Sequence, residues 1–238
     1  LRLHLHDDLM ISKKTGPTDL VTQMDQQVQK DLVEKITSRY PEDRIFAEED
    51  GLRSPISEGS VWVIDPIDGT NNFVTQKEDF AVMVAYFEDG IGQFGLIYDV
   101  MRDHLFYGGG EFPVYRNEVE LTPFVDQPLE NLLIASNVGM LEKNDWGMAD
   151  LGMDSLGIRV YGSAGISFSK ILSGGILAYF SYIWPWDYAA AAIMGEQLGY
   201  TVLNLNGDKP NYQSVEPIMM VPKVKLTEIQ TYLKKGRS

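Results

Sequence analysis

The sequence predicts a mixed fold, α+β or α/β, built from stacked layers of helix and sheet. Apolar strand patterns dominate the first half of the chain, whereas strand and helix patterns alternate in the second half. A chain of 238 residues buries roughly 70–75% of its unfolded surface in one or two layered cores. Its 44% hydrophobic and 23% charged residues are ordinary for a globular protein.

The elements of the first half follow from apolar spacing and from turn residues. Residues 1–12 are interpreted as the end of a helix, and residues 13–18 (KKTGPT) as a loop marked by Gly16 and Pro17. Residues 22–39 carry apolar side chains at helical spacing and predict an amphipathic helix. Strands are predicted at 44–47, 61–64, 80–86, 95–98 and 105–107, followed by a glycine turn at 108–110.

The second half mixes both kinds of element. Strands are predicted at 132–136, 159–161 and 217–221, and helices at 164–172, 188–198 and 226–234. No stretch resembles a linker between independent units. We therefore expect a single domain over 1–238, with an antiparallel α+β half over about 1–125 and an α/β half over about 126–238.

The composition excludes several classes of protein. The chain contains no cysteine, which rules out disulfides, zinc–thiolate sites and a cysteine nucleophile and fits the cytoplasm. The longest apolar run, 171–185, is broken by serines and glycines and is too short to cross a bilayer, so no membrane association is expected. Because the chain begins at Leu1 and not at Met, we expect residues to precede it.

The charge balance bears on possible partners. The formal net charge is −14, and nucleic acid is a poor partner for such a chain because binding it needs clustered Lys and Arg. The same field repels a phosphorylated small molecule unless bound cations invert the local charge. A phosphate-handling protein of this composition should therefore contain a cluster of acidic oxygen ligands.

Such a cluster is present in the segment DPIDGTNNF, which starts at Asp65. A buried apolar strand ends there and presents a carboxylate at its C-terminal end, where sites form in layered α/β proteins. Asp68 follows three residues later, and Gly69 and Thr70 offer backbone N–H groups that suit a phosphate. A calcium-binding EF-hand loop is excluded, because Gly69 is fifth and Gln76 twelfth when one counts from Asp65.

This segment resembles the D-P-x-D-G-T-x-N-F signature of the inositol monophosphatase family. Three further segments match in the same order. DLVTQMD, ending at Asp25, resembles D-x-V-T-x-x-D; AEE, starting at Ala47, resembles G-E-E; and WDYAAA, starting at Trp186, resembles W-D-x-A-A-G. The resemblance spans most of the chain and implies a layered α-β-α-β-α sandwich, a homodimer and sensitivity to lithium.

The resemblance also implies a site. Its metal ligands would be Glu48, Asp65, Asp68, Asp187 and the carbonyl of Ile67, holding two to three Mg²⁺ ions. Its catalytic residues would be Asp25 and Thr70, which orient and deprotonate the attacking water, with Glu48 nearby. Its substrate-binding residues would be Asp68, Gly69, Thr70, Arg159, Gly162, Ser163, Ala164 and Asp187. A serine esterase is not supported, because GSAG at 162–165 is not a G-x-S-x-G elbow.

The substrate side leaves alternatives open. Animal-type members carry a glutamate shortly before the W-D motif, where this chain has Phe180 or Ser181 in the aromatic segment AYFSYIWPW. Phe180, Tyr182 and Trp184 either stack on a base or sugar, which would suit NADP, or pack at a subunit contact. Lys14 in the predicted loop is either close to the phosphate or simply solvated.

We therefore predict a phosphoric monoester hydrolase that acts on a small phosphorylated polyol or sugar, with inositol monophosphate as the leading substrate. An NADP(H) phosphatase, a fructose-1,6-bisphosphatase and a phosphatase of 3′-phosphoadenosine 5′-phosphate remain alternatives, because the metal motifs do not fix substrate choice. A non-catalytic regulator that binds metal or phosphate is the alternative from another class. It predicts loss of a ligand, and every predicted ligand is present.

Overall fold

The structure is a computed structural model that describes the backbone of residues 11–13 and 20–235 and the side chains of residues 22–233. The predicted helix at 1–12 lies outside this part except at its end, where Ile11–Lys13 is a strand, β1, and not a helix. The loop at 14–18, with Lys14, lies outside the described residues, and so do His4 and His6. No helix of the described residues is long and apolar enough to cross a membrane.

The first half of the chain forms a seven-stranded sheet and two helices. After β2 (Leu20–Thr22), which pairs with β1, the helices are α1 (Gln23–Arg39) and α2 (Thr70–Thr75). The sheet strands, in spatial as well as chain order, are β3 (Arg44–Ala47), β4 (Ser60–Asp68), β5 (Ala81–Glu88), β6 (Ile91–Asp99), β7 (His104–Gly109), β8 (Phe112–Arg116) and β9 (Val119–Glu120). Only β3 and β4 are parallel; every later pair is antiparallel.

The second half forms a five-stranded sheet of order β11-β10-β12-β14-β13. Its strands are β10 (Leu133–Ser136), β11 (Gly157–Arg159), β12 (Ala178–Ile183), β13 (Tyr200–Asn204) and β14 (Glu216–Pro222). Its helices are α3 (Val138–Glu142), α4 (Met148–Asp154), α5 (Ala164–Leu172), α6 (Pro185–Gln197) and α7 (Leu226–Lys235), and short 3-10 turns lie at Leu129–Asn131, Asp145–Gly147 and Lys223–Lys225.

Helices α5 and α6 lie between the two sheets. The largest hydrophobic cluster joins their buried side chains, such as Phe168 and Tyr188, to residues of both sheets, such as Met83 and Met220. Helix α1 packs on the outer face of the first sheet around Ile64, and α4 and α7 pack on the outer face of the second sheet. The order of layers is therefore α-β-α-β-α, which confirms the predicted fold class.

Most predicted elements are present, and the differences have a physical cause. The prediction missed β2, β8, β9, β12, β13 and the short helices α2, α3 and α4. Strand β12 pairs with strands on both sides, and four of its first five residues, including Phe180, are buried, so it shows no alternation of polar and apolar side chains. Helix α6 begins at Pro185, three residues before the predicted start, because proline suits the first turn of a helix.

Candidate metal and phosphate site

The site lies where β4 ends against α5 and α6. Asp65 and Asp68 are three residues apart, so a regular strand would direct them to opposite faces. A β-bulge interrupts the ladder between them: three steps along β4 face two steps on β5, from Met83 to Ala81. The extra residue restores a common direction for the two carboxylates. Pro66 has no N–H group for the ladder and is tolerated within this bulge.

Asp187 completes a group of three carboxylates with Asp65 and Asp68. One oxygen atom from each lies within 4.8 Å of the other two. Asp187 is the third residue of α6, and its Oδ2 accepts the backbone N–H of Trp184 at 2.7 Å. It therefore caps the first turn of α6 and at the same time faces the two carboxylates of β4.

The electrostatics of this group would favour a bound cation. Burial raises the pKa of Asp65 well above its usual range, and the nearby charges of Glu48, Asp68 and Asp187 raise it further. Burial, then Asp68 and Glu48, likewise raise the pKa of Asp187. Oδ1 of Asp65 is buried and has no hydrogen-bond partner in the described part of the chain.

The donor set fits Mg²⁺. The group offers hard carboxylate oxygens, which Mg²⁺ prefers, and a bound cation would relieve the mutual repulsion of the buried charges. Glu48 lies outside the group of three, yet it is close enough to raise the pKa of both Asp65 and Asp187. The sequence-predicted ligands Glu48, Asp65, Asp68 and Asp187 therefore share one electrostatic environment.

Asp68 is held by the start of α5. Its Oδ2 accepts the Ser163 hydroxyl and the Gly165 N–H at 2.7 Å, and its Oδ1 accepts the Ala164 N–H at 3.1 Å. These donors lower the pKa of Asp68, but burial outweighs them and the pKa remains above its usual value. Gly165 is required here, since a Cβ would lie 3.0 Å from Oδ2 of Asp68 and 2.8 Å from Cβ of Ala81.

The predicted water-activating pair is assembled beside this group. The Thr70 hydroxyl lies 3.0 Å from Oδ1 of Asp25 and 3.1 Å from the carbonyl oxygen of Ile67. Asp25 is fully buried, and its Oδ2 accepts the backbone N–H of Thr22 at 2.8 Å and the Thr22 hydroxyl at 2.5 Å. Thr22 caps α1 and was not among the predicted site residues, although T-x-x-D is a capping pattern visible in the sequence.

Gly69 and Thr70 form the start of α2. Gly69 has φ +87°, and a Cβ there would lie 2.9 Å from Cβ of Ser163, so only glycine fits. Asn72, in the same motif, donates to the carbonyl oxygens of Tyr161 at 2.7 Å and Asp79 at 2.9 Å. This amide fixes the segment before α5 and was not predicted, because nothing in the sequence near Asn72 identifies partners so distant along the chain.

A cavity of about 240 Å³ opens beside the carboxylates. Its lining combines two of them with hydroxyl, amide and apolar groups: Asp68, Asn137, Gly162, Ser163, Ala164, Tyr179, Ser181, Ile183 and Asp187. The predicted substrate-side residues Gly162, Ser163 and Ala164 thus lie in this wall. Arg159 is exposed, donates to the carbonyl oxygen of Ile158 at 3.0 Å and is not part of the described lining.

The aromatic segment is divided between two environments. Ser181 lines the cavity with Tyr179 and Ile183, because alternate residues of β12 face the same side. Phe180 is fully buried in the cluster behind the sheet, so the idea that it stacks on a substrate is wrong. Trp184 stacks on Trp186 with ring centroids 4.8 Å apart. His104 packs against Phe106 in β7 and takes no part in the site.

Comparison with known proteins gives a consistent result. The model of the inositol monophosphatase family matches residues 1–236. The chain is 37% identical over 210 residues to inositol-1-monophosphatase of Bacillus subtilis (strain 168), covering 86% of this chain and 79% of that one. It is 29% identical over 218 residues to inositol monophosphatase 1 of Mus musculus, with 87% and 79% covered.

Solved structures agree. A structure of inositol monophosphatase II from Staphylococcus aureus MSSA476 superposes with a TM-score of 0.83 at 30% identity, covering 89% of this chain and 81% of that one. An IMPase/NADP phosphatase complexed with Mg²⁺ and phosphate superposes with a TM-score of 0.89 at 25% identity, covering 97% and 88%. The four sequence motifs, the carboxylate geometry and these matches lead to one conclusion: the chain belongs to the inositol monophosphatase family.

Proposed function

We propose that the chain is a Mg²⁺-dependent phosphatase that hydrolyses inositol monophosphate. The observation that carries this proposal is the group formed by the buried Asp65 and Asp68 with the half-buried Asp187, two of which line a polar cavity. The Asp25–Thr70 pair lies next to it, since the Thr70 hydroxyl is 3.1 Å from the carbonyl oxygen of Ile67. Family membership supports the reaction class, since family members are phosphoric monoester hydrolases.

We assign the metal ligands as the sequence predicts. Asp65, Asp68 and Asp187, with Glu48 and the carbonyl of Ile67, would hold two to three Mg²⁺ ions. When bound, Mg²⁺ supplies neutralisation of the phosphate charge and lowers the pKa of water. Without the ions, the carboxylates would repel a phosphate group. The ions that they hold would make the site attractive to phosphate.

The Asp25–Thr70 pair is assigned to the attacking water. A water hydrogen-bonded to the Thr70 hydroxyl would pass its proton to Thr70 Oγ1 while the Thr70 proton passes to Oδ1 of Asp25, 3.0 Å away. The water oxygen forms the new bond to phosphorus as the ester P–O bond breaks, and the leaving oxygen takes a proton from solvent. The amides of Gly69 and Thr70 hold phosphate oxygens.

The leaving group would occupy the cavity. Its polar groups include the side chains of Ser181, Asn137 and Tyr179, and such groups suit the hydroxyls of a polyol. Its described lining holds no carboxylate apart from Asp68 and Asp187, which favours NADP as a second candidate substrate. The likeness to an IMPase/NADP phosphatase supports the same alternative. We propose that Arg159 binds the part of a larger substrate that extends beyond the cavity.

The test is phosphate release with Mg²⁺ from inositol 1-phosphate, NADP, fructose 1,6-bisphosphate and 3′-phosphoadenosine 5′-phosphate. We expect the highest kcat/KM for inositol 1-phosphate. If kcat/KM is highest for NADP, the proposed substrate is wrong, whereas the proposed metal-dependent reaction stands. No release from any substrate by folded, Mg²⁺-bound protein would overturn the proposal and favour a regulator.

We further propose, from the family resemblance, that the enzyme is a lithium-inhibited homodimer and that both halves of the chain unfold as one domain. The absence of cysteine fits an enzyme of the cytoplasm. Sedimentation of the purified protein tests the homodimer, and assays with LiCl test lithium inhibition. A calorimetric scan tests for a single unfolding transition, and cell fractionation tests the cytoplasmic location. A monomer, lithium resistance, two separate transitions or an extracytoplasmic fraction would each reject the corresponding point.

A further inference from the structure

The loop after β3 carries Arg53, which the proposed mechanism does not use. Its backbone pairs antiparallel with Phe46, so the loop folds back on the strand. Its guanidinium donates to the carbonyl oxygen of Ala47, to that of Leu52 at 3.0 Å and to that of Glu48 at 3.4 Å. One side chain therefore holds the backbone of Glu48, of the residue before it and of Leu52 further along the loop.

The same guanidinium contacts the other half of the site. Its carbon Cζ lies 4.6 Å from the ring centroid of Trp186, within the range of a cation–π interaction. Trp186 is buried, contacts Phe46 with centroids 5.5 Å apart and stacks on Trp184. Because Trp186 directly precedes Asp187, its ring position constrains the turn that carries this carboxylate.

We propose that Arg53 is a positioning residue that fixes Glu48 relative to Asp187 and thereby sets the affinity for Mg²⁺. The two residues are more than a hundred positions apart in sequence: Glu48 directly follows β3, and Asp187 lies in the first turn of α6. Arg53 holds one by hydrogen bonds and the other through the face of Trp186. A guanidinium is suited to this because it is planar, donates in several directions and stacks on aromatic rings, whereas an ammonium group does not.

The positive charge of Arg53 and its positioning role predict opposite changes in Mg²⁺ affinity when the arginine is removed. A cation beside a metal site repels Mg²⁺, so the loss of a merely electrostatic arginine would strengthen Mg²⁺ binding. Loss of a positioning arginine would weaken it, because residues that orient metal ligands typically contribute about 10- to 100-fold in affinity. The direction of the change therefore distinguishes the two roles.

The experiment is calorimetric titration of the metal-free protein with MgCl₂, for the wild type, Arg53→Met and Arg53→Lys. We expect the dissociation constant for Mg²⁺ to rise about tenfold or more in Arg53→Met, and to rise in Arg53→Lys as well, since lysine keeps the charge but not the planar contacts. Arg44→Met is the matched control. Arg44 is the first residue of β3, the strand that leads to Glu48, and its guanidinium lies 3.8 Å from the carboxylate of Glu58. Its substitution should leave Mg²⁺ affinity unchanged.

Unchanged or tighter Mg²⁺ binding in Arg53→Met would overturn the proposal, and so would wild-type affinity in Arg53→Lys. Thermal melts of each variant report folding separately; if Arg53→Met does not fold, Arg53→Lys decides. At saturating Mg²⁺ we expect KM for the substrate to match that of the wild type. The proposal rests on the metal site of the proposed function, but binding is measured without turnover. A failure of the phosphatase assay would therefore leave this test intact.

Discussion

The hydroxyl of Ser163 donates a hydrogen bond to Oδ2 of Asp68, joining residues that lie 95 positions apart. Ser163 is also the N-cap of α5, and its oxygen accepts the N–H of Ile166 at 3.1 Å. A single side chain thus starts a helix of one half and orients a proposed metal ligand of the other. The carboxylate position is consequently coupled to the packing between the two sheets.

Ser163→Ala should lower both stability and Mg²⁺ affinity. Loss of the cap and of the donor to Asp68 costs about 1–2 kcal/mol, which lowers Tm by about 2–8 °C in a chain of this size. Mg²⁺ affinity should fall because Asp68 loses one of its orienting donors. Thermal melts and calorimetric titration measure the two effects.

Ser173→Ala is the control for this variant. Ser173 lies at the opposite end of α5, and its hydroxyl donates to the carbonyl oxygen of Ser169 at 2.8 Å. It should change Tm little and leave Mg²⁺ affinity unaltered. Wild-type Mg²⁺ affinity in Ser163→Ala would show that the backbone donors of Ala164 and Gly165 are sufficient to hold Asp68.

Asp65→Asn should stabilise the metal-free protein while abolishing activity. The substitution removes a buried charge that is repelled by Glu48, Asp68 and Asp187. We expect Tm without Mg²⁺ to rise by about 2–4 °C, equivalent to about 1 kcal/mol, and the further rise on adding Mg²⁺ to disappear. Calorimetric scans with and without MgCl₂ measure this. A lower Tm in the absence of metal would show that the carboxylate has a structural role.

Mg²⁺ affinity should increase with pH. The folded, metal-free protein holds Asp65 and Asp187 at raised pKa values, so both carry protons to higher pH than in the unfolded chain, where the value is about 3.9. Metal-free stability should therefore fall as pH rises from about 4 through these raised values. Mg²⁺ must displace the protons, so binding releases them.

Titrations in two buffers of different ionisation enthalpy count the released protons. We expect a positive number near the raised pKa values and a number approaching zero at higher pH. Affinity that does not vary with pH, together with no proton release, would contradict the raised pKa values of this carboxylate group.

Thr70→Ala should reduce kcat by roughly 10²-fold or more, the usual size of a lost general-base contribution. KM should change little, because the metal ligands remain. Thr75→Ala is the matched control: it lies in the same helix, is exposed and donates only to the carbonyl oxygen of Asn71 in the described structure. Steady-state kinetics at saturating Mg²⁺ measure both, and equal kcat values in the two variants would remove Thr70 from the mechanism.

The sequence by itself determined the family, the fold class and the acidic group, because short motifs carry their chemistry in residue type and local spacing. Asp65, Asp68, Gly69 and Thr70 occur within six residues of one another, and the T-x-x-D pattern before α1 is equally local. Strands with one solvated face and the amphipathic helix at 22–39 were likewise predictable, since their periodicity is visible along the chain.

The tertiary structure decided what depends on distant neighbours. The bulge that turns both aspartates to one face requires β5 as a partner, and the hydrogen bonds of Asn72 reach the chain at Tyr161. The choice of Ser181 and not Phe180 as a wall of the cavity depends on which face of β12 meets α5 and α6. Burial on both sides removes the alternation from which the sequence alone could have shown that orientation.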